Sequence, residues 1–130
     1  MDLKWLAAWQ PQMLSILRIM TALLFIEHGT TKLFSWPGQG PATLATLYLA
    51  AALIEMIGGI LLTVGLFTRL CAFIMSGEMA FAYFMSHAPK GMYPIVNGGD
   101  AALLYCFVFL YIAVAGGGAW SLDRSVRNTD

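Results

Sequence analysis

The sequence predicts an all-α integral membrane four-helix bundle, with four transmembrane helices and both termini on the same side. Three observations predict it. Of the 130 residues, 59% are hydrophobic and 11% charged, against about 25% charged in an ordinary soluble domain. The apolar residues gather in four blocks, residues 13–34, 43–67, 70–86 and 100–115. These lengths lie in or next to the range of roughly 17–25 residues for a bilayer-spanning helix. The breaks between blocks carry Pro and Gly or a short polar link, the residues that stop helices. One domain over residues 1–130 suits this length. Mean hydropathy is +0.73, and the formal net charge of zero leaves neither a basic footprint for nucleic acid nor an acidic tail. The lipid bilayer is therefore the first expected partner.

The chain begins MDLKWLAAWQPQ. It has one Lys and no small-residue cleavage site before the first long apolar run, which argues against a signal peptide. The first helix is expected to be retained. Trp5 and Trp9 lie four apart, so one helical face could rest at the membrane surface. Pro11 opens the first block and Trp36-Pro37-Gly38 closes it. A Pro/Gly loop, residues 35–42, leads to the second block. Thr68-Arg69 reads as a very short link that folds the second and third helices into an antiparallel hairpin. HAPKGMYPIVNGG, residues 87–99, is the longest loop. After Gly116-Gly117-Gly118 the tail WSLDRSVRNTD turns polar. There is no internal repeat and no low-complexity segment.

Four spans would put both termini on one side together with the Thr68-Arg69 link. That side collects Lys4, Arg69, Arg124 and Arg127, whereas the other has Lys32 and Lys90. The positive-inside rule then places the termini in the cytoplasm. The expected location is the bacterial plasma (inner) membrane, with the long loop facing the periplasm. Cys71 and Cys106 form no CxxC motif, which argues against a thiol–disulfide relay. They fall at different depths, which argues against a mutual disulfide.

The first block carries the chemistry. LRIMTALLFIEHGTTKLF, residues 17–34, is apolar yet holds Arg18, Glu27, His28 and Lys32. Charge inside the hydrocarbon is costly, so such side chains usually face the bundle interior and are often functional. At about 100° per residue, Arg18, Ala22, Phe25, Gly29 and Lys32 share one stripe. His28 flanks it, and Glu27 lies round the back of Arg18. Glu55 sits near the middle of the second block, with Gly58 and Gly59 on its face. Small residues there let a partner helix approach closely. Glu78 shares a stripe with Cys71, Met75, Ala82 and Met85 on the third block. Asp100 opens the fourth after Asn97-Gly98-Gly99. At about 1.5 Å per residue, Glu27, His28, Lys32, His87, Lys90 and Asp100 fall in the outer half. Glu55 and Glu78 lie nearer the midplane, and Arg18 lies toward the cytoplasmic side.

The candidate ligand pocket is therefore Arg18, Glu27, His28, Lys32, Glu55, Glu78, His87 and Asp100. Phe25, Tyr83, Phe84, Tyr105 and Phe107 are available as aromatic walls. An apolar pocket with a few convergent polar groups suits a small amphipathic ligand such as a quinone or phenol. Structural readings stand beside this one. The carboxylates and Lys32 could be paired simply to hold the bundle together. Asp100 and Asn97 could be N-cap residues, and Arg18 could snorkel to the headgroups. His28 and His87 with Glu27 or Glu78 could hold a metal, but no HxxxH or ExxH pair supports that, and no metal is expected. Haem ligation by the two histidines is a lesser alternative to quinone.

Three stretches together resemble the DoxX family of small four-helix membrane proteins: LRIMTALLFIEHGTTKLF, EMIGGILLTVGLFTRLCAF and HAPKGMYPIVNGGDAALLYCFVFLYIAVAGGGAWSLDR. The motifs are HGxxK, ExxGGxLLxxGLxTR, NGG followed by an acid, and GxGxxSLD. Each is weak alone, but in this order they are fairly specific, and they run from Leu17 to Arg124. Many relatives carry Glu after NGG. Here Asp100 keeps the carboxylate but shortens its reach. The family takes its name from a membrane subunit of an archaeal terminal oxidase and thiosulfate:quinone oxidoreductase system. Other members are linked to oxidative-stress complexes and to responses to quinones or phenols. The resemblance thus implies a membrane component of a redox or quinone-linked system, as an oxidoreductase subunit or beside a redox-partner protein. The alternative is a non-enzymatic partner subunit or assembly factor whose intramembrane charges are structural. A third class, a small-molecule or proton pathway, would need polar groups leading to both faces, whereas the charges cluster toward one. A homo-oligomer is also expected, because so small a bundle has little room to hide its charges.

Overall fold

The computed structural model describes residues 1–128, and every regular element among them is helical. A single turn, α1 (Lys4–Ala7), leads into α2 (Gln10–Phe34), which carries Pro11 in its first turn. A missing N–H costs nothing at that position. Trp5 and Trp9 are both exposed around this entry. The other long helices are α3 (Thr46–Val64) and α4 (Thr68–Ala82). A π-helical turn (Tyr83–His87) and a 3-10 turn (Ala88–Lys90) prolong α4. Short α5 (Pro94–Asn97), α6 (Asp100–Ala115) and short α7 (Leu122–Ser125) complete the order.

Several boundaries differ from the sequence expectation. The link between the second and third helices is not Thr68-Arg69 but residues 65–67. Gly65 (φ 77°) ends α3 in the left-handed conformation. The Leu66 amide donates to Leu61 O at 2.9 Å and the Gly65 amide to Leu62 O at 3.2 Å. These two bonds satisfy the last carbonyls of α3 as a Schellman motif. Thr68 and Arg69 already belong to α4. The N-cap of α6 is Gly99, with no side-chain cap bond, so neither Asp100 nor Asn97 caps it. Residues 100–115 form α6 as expected.

α2 packs along α3, and α4 along α6. α3 and α4 join the two pairs, and α2 and α6 touch more lightly. Successive long helices run up and down. The core holds Ala22, Phe25, Leu62, Ala72, Met75, Phe109 and Ile112, with Phe25 edge-on to Phe109 at 4.9 Å between ring centres. The stripe expected on α2 points inward, since Arg18, Ala22, Phe25 and Gly29 are buried. Gly58 and Gly59 mark the two closest approaches to α3. A Cβ on Gly58 would lie 2.7 Å from Met75 Sδ, and one on Gly59 would lie 2.6 Å from Ile26 Cγ1. On α4, Cys71, Met75 and Met79 are buried, but Met85 is exposed. The π turn inserts an extra residue per turn there, so the 3.6-residue stripe does not reach it.

Large apolar side chains on all four long helices face outward, among them Leu24, Ile57, Phe73 and Leu104. A bilayer accepts such a surface and water does not. By length and composition, α2 and α3 are each able to cross a membrane. α4 has 15 residues and α6 has 16, shorter than a typical span. The expectation of four full-length spans is thus met by two helices.

Candidate functional site

The buried ionisable groups fall into two clusters. The first closes the end of the bundle that carries the termini. Arg18 is 1% exposed, and its fork reaches into the turns after α6. Nη1 donates to Gly117 O, and Nη2 donates to Trp120 O at 2.8 Å and to Thr63 O at 3.4 Å. Ser15, one turn earlier on α2, donates through Oγ to Gly117 O at 2.9 Å and accepts from the Trp120 amide at 2.9 Å. The tail then turns across the α3–α4 link. Asp123 Oδ1 accepts from the Phe67 amide and Oδ2 from the Thr68 amide, each at 2.8 Å. The Asp123 amide donates to Gly65 O at 2.9 Å. One carboxylate from the tail therefore satisfies the open amides at the start of α4, as an N-cap residue does. Burial works against the Asp123 charge, but the bonds from Thr68 and Phe67 and the nearby Arg127 outweigh it. Together they hold the carboxyl below its ordinary value. Ser121 Oγ accepts from the Arg124 amide at 3.2 Å and caps α7 in turn.

The second cluster lies between α2, α3 and α4. Lys32 and Glu55 form an ion pair through Nζ and Oε1. Glu55 is 1% exposed, whereas the Lys32 side chain is 22% exposed and gives the pair its way out. Glu78, half-buried on α4, brings its carboxyl within hydrogen-bonding reach of Glu55 and into the field of Lys32. Two buried oxygens here, Glu55 Oε2 and Glu78 Oε2, receive no hydrogen bond from any described residue. The cluster thus offers one ammonium donor and two carboxyl oxygens without a donor, next to a core of mainly apolar side chains.

The remaining candidates stand around these clusters. His28 is exposed and lies edge-on to Tyr105 at 5.7 Å, with Phe25 at 5.9 Å. Glu27 is exposed on the side of α2 away from the stripe. His87, expected in the long loop, is the last residue of the π turn. Its Nδ1 lies 3.2 Å from Asn97 O, and its ring stacks on Tyr83. Asn97 is the buried organiser of that loop. It donates to Tyr83 Oη at 3.1 Å and to Gly91 O at 3.0 Å, and its Oδ1 accepts from the Gly99 amide at 2.8 Å. Asp100 is exposed and borders a surface groove with Pro94, Leu103, Leu104 and Phe107.

Of the eight residues expected in one pocket, the structure brings Lys32, Glu55 and Glu78 together. It places Arg18 in the terminal cluster and His87 in the loop cluster. Asp123, Ser15 and Asn97 are the key polar residues that the sequence reading did not single out as sites. The signal for Asp123 was its place in SLD, a Ser at helix-capping distance before a carboxylate. Cys71 and Cys106 are both free thiols. Among the described residues no three His, Cys, Asp or Glu side chains gather as metal ligands would. The two histidines keep different contacts, His28 with Phe25 and Tyr105 and His87 with Tyr83 and Asn97.

The family model for DoxX matches residues 13–88, which cover α2, α3, α4 and the π turn after it. A Haemophilus influenzae protein described only as uncharacterized is 48% identical over 126 residues. That alignment takes in 92% of this chain and 94% of the other. No solved structure matches the chain.

Proposed function

The chain belongs to the DoxX family, a family of small membrane proteins, and from that premise we propose that it is a membrane component of a redox or quinone-linked system. In this reading a quinone-like small molecule sits against the Lys32–Glu55–Glu78 cluster. The protein is a multi-pass protein of the bacterial inner membrane with both termini in the cytoplasm. α2, α3, α6 and α4 with its π extension each cross the bilayer, the last two nearly upright.

The observation that carries the reading is the pair of buried carboxyl oxygens with no donor, set beside one lysine. A satisfied structural ion pair leaves no such remainder, because buried polar groups are nearly always bonded. The donor set fits a ligand with hydroxyl or carbonyl oxygens. Lys32 Nζ can donate to a carbonyl oxygen, and Glu55 Oε2 and Glu78 Oε2 can accept from a hydroxyl. Lys32 supplies the fixed positive charge. Glu55 and Glu78 handle protons, which dry carboxyl groups exchange readily. His28 with Tyr105 and Phe25 forms the aromatic flank, and Asp100 marks the outer approach.

The test is to purify the protein in lipid nanodiscs, record its visible spectrum, and identify bound small molecules by mass spectrometry. A quinone-like molecule at one per chain is expected, and it should be lost in Glu55→Gln and His28→Ala while both variants remain folded. Binding that survives both substitutions puts the site elsewhere. A haem spectrum would replace the quinone reading.

A second reading has its own support. Arg18 and Asp123 are occupied by backbone carbonyls and amides, as expected of a partner subunit or assembly factor whose charges only build the fold. Co-purification of a stoichiometric redox-partner protein with a chain that carries only lipid would favour it.

A further inference from the structure

We infer that Glu55 and Glu78 share a single proton between them, with Lys32 as the counter-charge, so that the cluster is a proton-binding site of net charge zero. The inference deepens the proposed function, on which it rests for the importance of this cluster, but its test needs no ligand.

Lys32 is one cation set against two carboxyl groups, and it bonds Glu55 through Oε1 alone. Glu78 approaches the same Glu55 from the next helix. No described residue donates to Glu55 Oε2 or Glu78 Oε2. With both carboxyls ionised, two like charges would face each other in an apolar interior without a donor between them. A lone buried charge neutralises rather than remain unpaired, and two carboxylates that share a site keep a proton between them. One proton turns the facing oxygens into a charge-assisted O–H···O⁻ bond and leaves one negative charge for Lys32.

The neighbouring elements supply nothing that changes the count. On α2, His28 and Glu27 are exposed. On α6, Tyr105 lies tilted against Phe25 and edge-on to His28, and Asp100 is exposed. On α4, Ser76 Oγ donates to Cys106 O at 2.7 Å. Arg18, the other buried cation, is held by carbonyls at the far end of the bundle. Glu55 is sealed, whereas Lys32 and Glu78 are partly open, so the proton reaches the pair by way of these two side chains.

The experiment is infrared spectroscopy of the ligand-free protein in nanodiscs at neutral pH, with and without ¹³C-glutamate. The chain has only three Glu residues, at 27, 55 and 78, so a labelled band is easily assigned. We expect a protonated-carboxyl C=O band that shifts with the label. It should vanish in Glu55→Gln and in Glu78→Gln, because each variant leaves one carboxylate for one lysine. In Lys32→Met it should be about two-fold stronger, because both carboxyls must then be neutral. The absence of a glutamate band in the wild type, or its survival in both Gln variants, overturns the inference. Should a Gln variant fail to fold, the labelled wild type still decides by the presence or absence of the band. A band without any bound small molecule keeps the proton site and removes the ligand reading. A bound molecule without a band does the reverse.

Discussion

Asp123→Ala should cost this bundle far more than any single surface charge. The Asp123 side chain is 8% exposed and takes the Phe67 and Thr68 amides at 2.8 Å each. Hydrogen bonds to a charged group contribute about 1.5–3 kcal/mol each, and loss of a helix-capping side chain costs about 0.5–2 kcal/mol. The two bonds share one carboxylate and do not add fully, so about 3 kcal/mol is expected. The Arg127 contact at 3.8 Å, on a side chain 39% exposed, contributes at most about 1 kcal/mol. At about 4 °C per kcal/mol for a domain of this size, Asp123→Ala should lower Tm by about 12 °C, and Arg127→Ala by about 4 °C or less. Asp123→Asn keeps one acceptor oxygen and should fall between. Tryptophan fluorescence during heating in nanodiscs reads this directly, since Trp120 lies in the tail. The pH dependence has a fixed sign. The folded carboxyl lies below its ordinary value, so its stabilisation is complete above the unfolded pKa of about 4 and fades as pH falls through the folded value. The gap between wild type and Asp123→Ala should therefore be constant near neutrality and close only below about pH 4. A Tm drop no larger than that of Arg127→Ala, or a gap that closes between pH 5 and 7, would refute the reasoning.

Other substitutions probe the same frame. Gly65→Ala combines a positive φ with a Cβ 2.6 Å from Ser121 Cβ and 2.8 Å from its Cα. It should destabilise by more than the roughly 1–2 kcal/mol of a left-handed alanine alone, read as a Tm loss. Arg18→Lys keeps the charge but loses the fork that spans Gly117 and Trp120. It should cost about 2 kcal/mol and expose Arg124 and Arg127 to trypsin in a limited digest. Gly59→Leu drives a side chain into Ile26 and should cost about 1–3 kcal/mol by prising α2 from α3. Gly77→Ala meets nothing within 4 Å and should leave Tm unchanged or raise it by up to about 1 kcal/mol of stability.

Much of this was legible in the sequence because it depends on period and spacing. The inward stripe of α2, the glycine pair beside Glu55 and the start of α6 at Asp100 all follow from where small, apolar and charged residues recur. What was not legible depends on contacts between segments far apart. Arg18 reads as a pocket residue or a snorkelling one until the tail is folded back. Its partners then prove to be carbonyls 45 to 102 residues away, and carbonyls leave no trace in residue identity. Asp123 reads as part of a polar tail for the same reason. Asn97 reads as an N-cap because it precedes a helix, but the loop bends so that Gly99 caps and Asn97 holds Tyr83 and Gly91 instead. Met85 reads as inward only if the helix keeps its period through the π turn.

The same accounting separates structural charge from functional charge. In a dry bundle every ionised group must find partners; among the described residues the terminal cluster leaves only Arg18 Nε of its charged atoms without one, whereas the Lys32 cluster leaves an oxygen on each of two carboxyls. Asp123 accepts two amides that the start of α4 leaves open, and Arg18 donates to two carbonyls of the loop after α6 and to one in the last turn of α3. Ser15 completes the same turns. That cluster uses charge to close backbone, and its replacement should be read in stability. At Lys32, Glu55 and Glu78 no helix end is being closed. Glu55 sits at the middle of α3, where the backbone already satisfies itself, and both carboxyls keep an oxygen with no donor. Carrying such a pair costs more than an apolar replacement of the same shape would. Conservative neutral substitutions there should therefore leave the fold intact, or strengthen it, while removing proton and ligand binding. That opposite response, set against the Asp123 series, is the signature of a functional site.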